Sequence, residues 1–288
     1  MTSASEVPAS FRSSAVRPGP VGLIREGFVD ILSRRRLIRY LVQADLKKSG
    51  ADTLLGNIWW VIDPLLQMVV YVVLVTLIFQ RKQPDYPIFI FSAILPWKWF
   101  TGSVGDGVYS VVLSERLIKQ IQFPKIVLPI SSAMSGITNF AFGLIPLSVL
   151  MIVFYPHRIS IWLLTIPLIG FVQLLFTLPV VVAVSSSNVF YRDIGNLMRH
   201  VLRLWWYLSP GLYGVALILE VTKELPLVGT LMLLNPFTIL FTAYRDAIYS
   251  GQSPDWMSLF ILAVASLLLL VVAMWYFKRV EPAFAKVL

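Results

Sequence analysis

Long apolar runs separated by short polar connectors make up most of the chain. A helix needs about 20 apolar residues to cross a bilayer, and six stretches approach that length. The first, Ile58 to Phe79, opens with Trp59 and Trp60 at interface depth. Asp63-Pro64 lies one turn inside it, and a carboxylate there needs protein or a wet cavity beside it. The second, Ile88 to Val112, holds Pro96, Trp97, Lys98, Trp99, Gly102, Gly105, Asp106 and Gly107. A helix of that composition suits a position against protein or a pore, not lipid on all sides. The third, Ile130 to Tyr155, carries Ser132 and Gly136 four apart, a small face for close helix contact. The fourth, Ile161 to Val184, contains Pro167 and Pro179. The fifth starts near Leu197 and includes Arg203, Trp205, Trp206 and Tyr207 before Ser209-Pro210-Gly211. The sixth is Met257 to Phe277. Between the last two, residues 211–254 are apolar but broken by Pro226, Gly229, Pro236 and Gly251. Pieces that short predict re-entrant or interfacial helices before the last span. The predicted fold is an all-α integral membrane protein of six transmembrane helices.

The polar stretches have helical patterns of their own. From Val21 to Gly50, Leu37, Ile38, Leu41 and Val42 form an apolar stripe among Arg34, Arg35, Arg36, Arg39, Lys47 and Lys48. That pattern predicts an amphipathic helix in the membrane interface, or one packed on a partner protein. Between the second and third spans, Ser114 can cap a short helix with Glu115 in its first turn. Leu117, Ile118 and Ile121 share one face, ringed by Arg116, Lys119, Gln120 and Gln122, and Pro124 ends the helix near Phe123. Two readings fit it equally: a helix gripped by a partner, or one lying on lipid headgroups. The stretch Asn188 to His200 is again polar and basic. Residues 1–20 are small, polar and Pro-containing, which predicts a disordered tail without the h-region of a signal peptide.

Composition supports the membrane assignment: 57% of the 288 residues are hydrophobic and 14% charged. The net charge of +9 fits basic loops facing anionic lipid better than nucleic acid. Grouping the N-terminal helix, the two long connectors and the C-terminal tail on one side collects most Lys and Arg. The other side then keeps Arg81, Lys82, Arg158, Lys223 and Arg245, which predicts both termini in the cytoplasm.

Missing chemistry narrows the function further. With no Cys, thiol chemistry is excluded. There is no G-x-x-x-x-G-K-[ST], so no P-loop nucleotide site, and no acidic or His set spaced for a metal. Asp63 and Asp106 are the only intramembrane carboxylates available to ion coupling. A membrane-embedded glycan-processing enzyme would need a catalytic cluster on an outer loop, and Asp85, Glu220, Glu224, Asp246 and Asp255 form none in the sequence. A passive scaffold gives no reason for charged helices at each connector. A transport subunit driven by a separate motor accounts for both features.

The order of features resembles the ABC-2 type permeases that export polysaccharides, the channel subunits for O-antigen, teichoic acid and mycobacterial galactan. The resemblance is carried by Leu55-Gly56-Asn57-Ile58-Trp59-Trp60 leading to Asp63-Pro64-Leu65, by Leu95-Pro96-Trp97, and by LIKQIQFPKIVLP from Leu117. It continues through Asn188 to Ile194, Ser209-Pro210-Gly211-Leu212-Tyr213 and Leu234-Asn235-Pro236, so it covers nearly everything after residue 30. Asp63 departs from the Gln that the family usually places before this proline.

The resemblance implies a homodimeric channel with two soluble ABC ATPase subunits below it in the inner membrane, ATP and Mg being held by the ATPase and no cofactor by this chain. Residues 114–123 would be the coupling helix seated on the ATPase through Glu115, Arg116, Leu117, Lys119 and Ile121. Residues 31–48 would be a gate helix at the cytoplasmic mouth, residues 211–233 re-entrant gate helices on the far side, and Pro210, Gly211 and Tyr213 outer-gate residues. The cargo would be a glycan on polyprenyl diphosphate. Sugar C–H faces stack on aromatics, so Trp97, Trp99, Trp205, Trp206 and Tyr207 are candidates to line its path, against the alternative of an aromatic belt, which suits Trp59 and Trp60. Arg34, Arg35, Arg36 and Arg39 would draw in the diphosphate, or pair with anionic lipid. An ABC-2 exporter of a drug or small lipid is the alternative within transport.

Overall fold

The computed structural model describes residues 19–50, 54–80 and 83–288. Residues 1–18 of the expected tail, together with Arg81 and Lys82, lie outside the described residues. Among the described residues every regular element is helical. In chain order these are α1 (Pro20–Ser33), α2 (Arg35–Gly50), α3 (Trp59–Val72, continued by a π turn), α4 (Tyr86–Leu113), α5 (Glu115–Gln120) and α6 (Val127–Phe154). There follow α7 (Ile166–Phe190), α8 (Ile194–Leu208), α9 (Val215–Glu224), α10 (Pro226–Leu233), α11 (Pro236–Arg245), α12 (Trp256–Val280) and α13 (Phe284–Val287).

Local chemistry sets many of these boundaries. Pro20, Pro226 and Pro236 stand at the first position of their helices, where the missing N–H costs nothing. Asn235 caps α11 by accepting from the Phe237 N–H, and Asp255 caps α12 by accepting from Met257 and Ser258.

Among the described residues, four stretches are long and apolar enough to cross a membrane: Gly56–Ile78, Val127–Phe154, Ile161–Phe190 and Trp256–Val287. The pair Pro226–Leu233 and Pro236–Ser250, bent by 61°, is a broken fifth span or a re-entrant loop. Of the six expected spans, α4 and α8 do not meet this measure. Lys98, Asp106 and several glycines make α4 too polar, although its 28 residues reach about 42 Å. The 15 residues of α8 reach only about 22 Å, short of a bilayer core.

The polar helix α4 sits in the middle, against α3, α6, α7, α8 and α11. Ile88, Ile90, Phe91, Ala93, Ile94, Phe100 and Val104 around its circumference are all fully buried. Gln173 of α7, also fully buried, donates from Nε2 to the Pro96 carbonyl at 2.7 Å, fixing α7 to α4 at its internal proline. A second apolar cluster lies where α4 ends and α6 begins. There Ile38 of α2, Ile118 of α5, Ile126, Phe277 and Phe284 come together. The amphipathic N-terminal helices, the first connector and the C-terminus thus share one end of the bundle.

Of the expected small face of α6, Gly136 packs against α4, while Ser132 Oγ donates back to the Leu128 carbonyl. A Cβ on Gly136 would lie 2.5 Å from Trp99 Cδ1 and would also strike Ser103 Oγ. Replacing Gly136 with Val must push these helices apart, at an overpacking cost of roughly 1–3 kcal/mol. Thermal unfolding of the detergent-purified protein is expected to show a lower midpoint for Gly136→Val. Gly102→Ala, where a Cβ meets nothing within 4 Å, is expected to leave the midpoint unchanged.

Candidate functional site

At the connector end, α5 is shorter than the expected 114–123, because Ile121 is already extended at φ −132°. Ser114 precedes the helix but makes no side-chain cap. Lys119 bonds Glu115 one turn back at 2.6 Å and holds that carboxyl below its ordinary range. The apolar face divides in two. Ile118 is buried against Val111, Ile126 and Phe284, whereas Ile121 is 51% exposed and Leu117 half-buried. Arg116 and Lys119 face out. The helix is therefore held from behind by its own chain and offers Arg116, Lys119 and Ile121 outward.

The expected gate helix is two helices, α1 against α12 and α2 against α6, broken at Arg34. Ser33 Oγ donates to the Asp30 carbonyl at 3.2 Å just before the break, a side-chain bond that competes with helical pairing. Arg34, Arg35, Arg36 and Arg39 are all exposed, while Ile38 among them is 4% exposed and anchors α2.

The candidate path residues do not behave as one set. Trp97 packs against Trp206 at 5.4 Å, Phe237 at 4.8 Å and Trp205 at 6.5 Å between ring centroids. Trp205 Nε1 donates to Asn235 Oδ1 at 2.9 Å, so the residue that caps α11 also fixes this indole. Trp99 lies apart, against Phe140 at 5.1 Å. Trp97, Trp99 and Trp206 are buried, and Tyr207 is 55% exposed. Phe237 and Asn235 were not among the sequence candidates, although the Asn235-Pro236 start of α11 was legible.

Towards the other end, Pro210, Gly211 and Tyr213 are organised by Arg245, a residue that sequence reasoning placed only among the charges of that side. Its buried guanidinium donates to the carbonyls of Pro210, Gly211, Tyr213 and Phe89 and lies 3.7 Å from the Phe89 ring centre. Backbone dipoles and a π face satisfy the cation where no carboxylate bonds it among the described residues. Near the start of α4, Arg158 holds Asp85 at 2.7 Å and keeps its carboxyl below the ordinary range, and His157 bonds the same carboxylate at 3.1 Å. Asp63 pairs with Lys98 beside a cleft of about 360 Å³ that Trp59 and Trp60 also line. No group of three or more His, Cys, Asp or Glu able to hold a metal occurs among the described residues.

What the chain offers is thus a polar helix at the connector end, the basic helix α2 near it and a bound turn at the opposite end. No family model matches the chain. It is 31% identical over 266 residues to the O-antigen export system permease protein RfbA of Myxococcus xanthus, which covers 92% of this chain and 99% of that protein. Two permease proteins of the same name from Klebsiella pneumoniae are 28% and 26% identical over 253 residues, each covering 88% of this chain and 95% of its relative. With the fold all-helical and its spans long enough for a membrane, the chain belongs to the family of O-antigen export permeases.

Proposed function

We propose that this chain is the channel subunit of an ATP-driven exporter that carries a polyprenyl-diphosphate-linked polysaccharide, of the O-antigen type, out of the cytoplasm across the inner membrane. The observation that carries this reading is similarity to O-antigen export permeases over nearly their whole length, connectors included. In this reading α4 and α8 complete six spans, a second copy closes the channel, and both termini face the cytoplasm. The clustering of α1, α2, α5 and the C-terminus at one end supports that orientation.

Two soluble ATPase subunits, which hold ATP and Mg, dock beneath α5. The outward Arg116, Lys119 and Ile121 meet their groove, while Ile118 ties the helix to the bundle and passes on its movement. Arg34, Arg35, Arg36 and Arg39 gather the lipid diphosphate at the membrane surface. Of the aromatic residues, Tyr207 is the one exposed to line the glycan path, and the buried indoles hold α8 and α11 on α4. The Arg245-bound turn with Pro210, Gly211 and Tyr213 forms the outer gate.

Orientation is tested with single cysteines in this Cys-free chain. In intact cells an impermeant thiol reagent is expected to label Pro84→Cys and to leave Gln120→Cys unmodified until the membrane is opened. Labelling of position 120 from outside would reverse the orientation. Docking is tested by Ile121→Asp, which leaves the free permease unstrained because the side chain is exposed. In the complex the new carboxylate is buried without a partner, a penalty of about 3–5 kcal/mol. The purified variant is expected to lose the ATPase in pull-down and to stop exporting; full retention with normal export would mean that α5 rests on lipid.

A further inference from the structure

Beside α5 lies a cleft of about 1150 Å³, bounded by α1, by the end of α12 and by the connector Lys119–Lys125. Four charged groups join these walls. Lys278, near the end of α12 with its side chain only 5% exposed, reaches Glu281 at 2.6 Å, Asp30 at 2.8 Å and Glu26 at 3.1 Å. Glu26 and Asp30 are one turn apart on α1. The second carboxylate oxygen of Glu281 accepts the backbone N–H of Lys125, five residues beyond α5, at 2.6 Å. A continuous chain of charge-assisted bonds therefore runs from the connector through Glu281 and Lys278 to α1.

The backbone makes room for this chain. Gly27, between the two acids, faces α12 so closely that a Cβ would lie 2.6 Å from Met274 Sδ and 3.4 Å from Lys278 Cγ. The lysine stem can lie along α1 because that position has no side chain. A buried ion cluster is weak evidence for stability, and its best-attested use is to fix register between elements. Charge-assisted bonds are short and directional, so a displacement at one end is passed on instead of being absorbed by sliding.

We propose that Lys278 is a positioning residue that transmits movement of the α5 connector to α1, and through α1 to the basic helix α2 that follows it, so that the motor and the membrane-surface helices move together. This rests on the docking of a motor at α5. Glu26→Gln combined with Asp30→Asn cuts α1 from Lys278 and leaves the bonds among Lys278, Glu281 and Lys125 in place. In the full permease–ATPase complex this variant is expected to retain the ATPase and hydrolyse ATP as wild type does, while export per ATP hydrolysed falls about tenfold, within the range for mutations along a coupling network. Asp30→Glu, which keeps the charge, is expected to stay near wild type.

Export per ATP within twofold of wild type in the double variant would overturn the proposal. So would loss of the ATPase from it, which would make the cluster part of the docking surface. Failure of the docking premise is seen separately, because Ile121→Asp would then keep both ATPase and export.

Discussion

A polar helix inside a membrane bundle needs protein beside its charges and backbone, and α4 meets most of that demand by lying at the centre, with Asp106 exposed. It carries a lysine, an aspartate, an internal proline and two indoles along one length. Lys98 finds Asp63 of α3, the Pro96 carbonyl accepts from Gln173 of α7, and Trp97 is enclosed by aromatics from α8 and α11. α3, α7, α8 and α11 are thus each recruited by a particular group on α4, and α6 closes on Trp99 through Gly136. The apolar helices α6 and α12 turn outer faces rich in exposed Leu, Ile, Val and Phe to lipid.

The same physics governs the two ends of the bundle. Arg245 and Lys278 are each about 5% exposed, and a bare cation so placed would be costly. Arg245 is satisfied by backbone carbonyls from a turn and from α4, a use that suits the fixed fork of a guanidinium. Lys278 is satisfied by three carboxylates from two elements. In both cases a single side chain gathers segments far apart in sequence. Substituting either cation leaves several partners without a donor, so the effect spreads over more than one element.

Much of this arrangement is legible in the sequence. Hydropathy and length mark α3, α6, α7 and α12, proline marks the starts of α10 and α11, and the polar residues of α4 foretell a protein-lined position. The orientation of α5 is not legible, because fewer than two turns cannot show which of Ile118 and Ile121 faces the bundle. The break at Arg34 is also hidden, since neither proline nor glycine marks it. Arg245 and Lys278 read as ordinary basic residues because their partners are remote: Asp30 lies 248 positions from Lys278, and Gly211 lies 34 from Arg245. The indoles of α4 and α8 read equally well as path or packing until burial separates Tyr207 from the others.

The assignment as a glycan exporter is tested most directly by following the polymer in cells depleted of this chain. Surface polysaccharide is measured with an impermeant label, and the polyprenyl-linked pool retained inside is measured after extraction. A channel subunit requires that surface polymer fall to background while the internal lipid-linked pool rises, both reversed by the wild-type chain. Unchanged surface polysaccharide with no internal accumulation would contradict it.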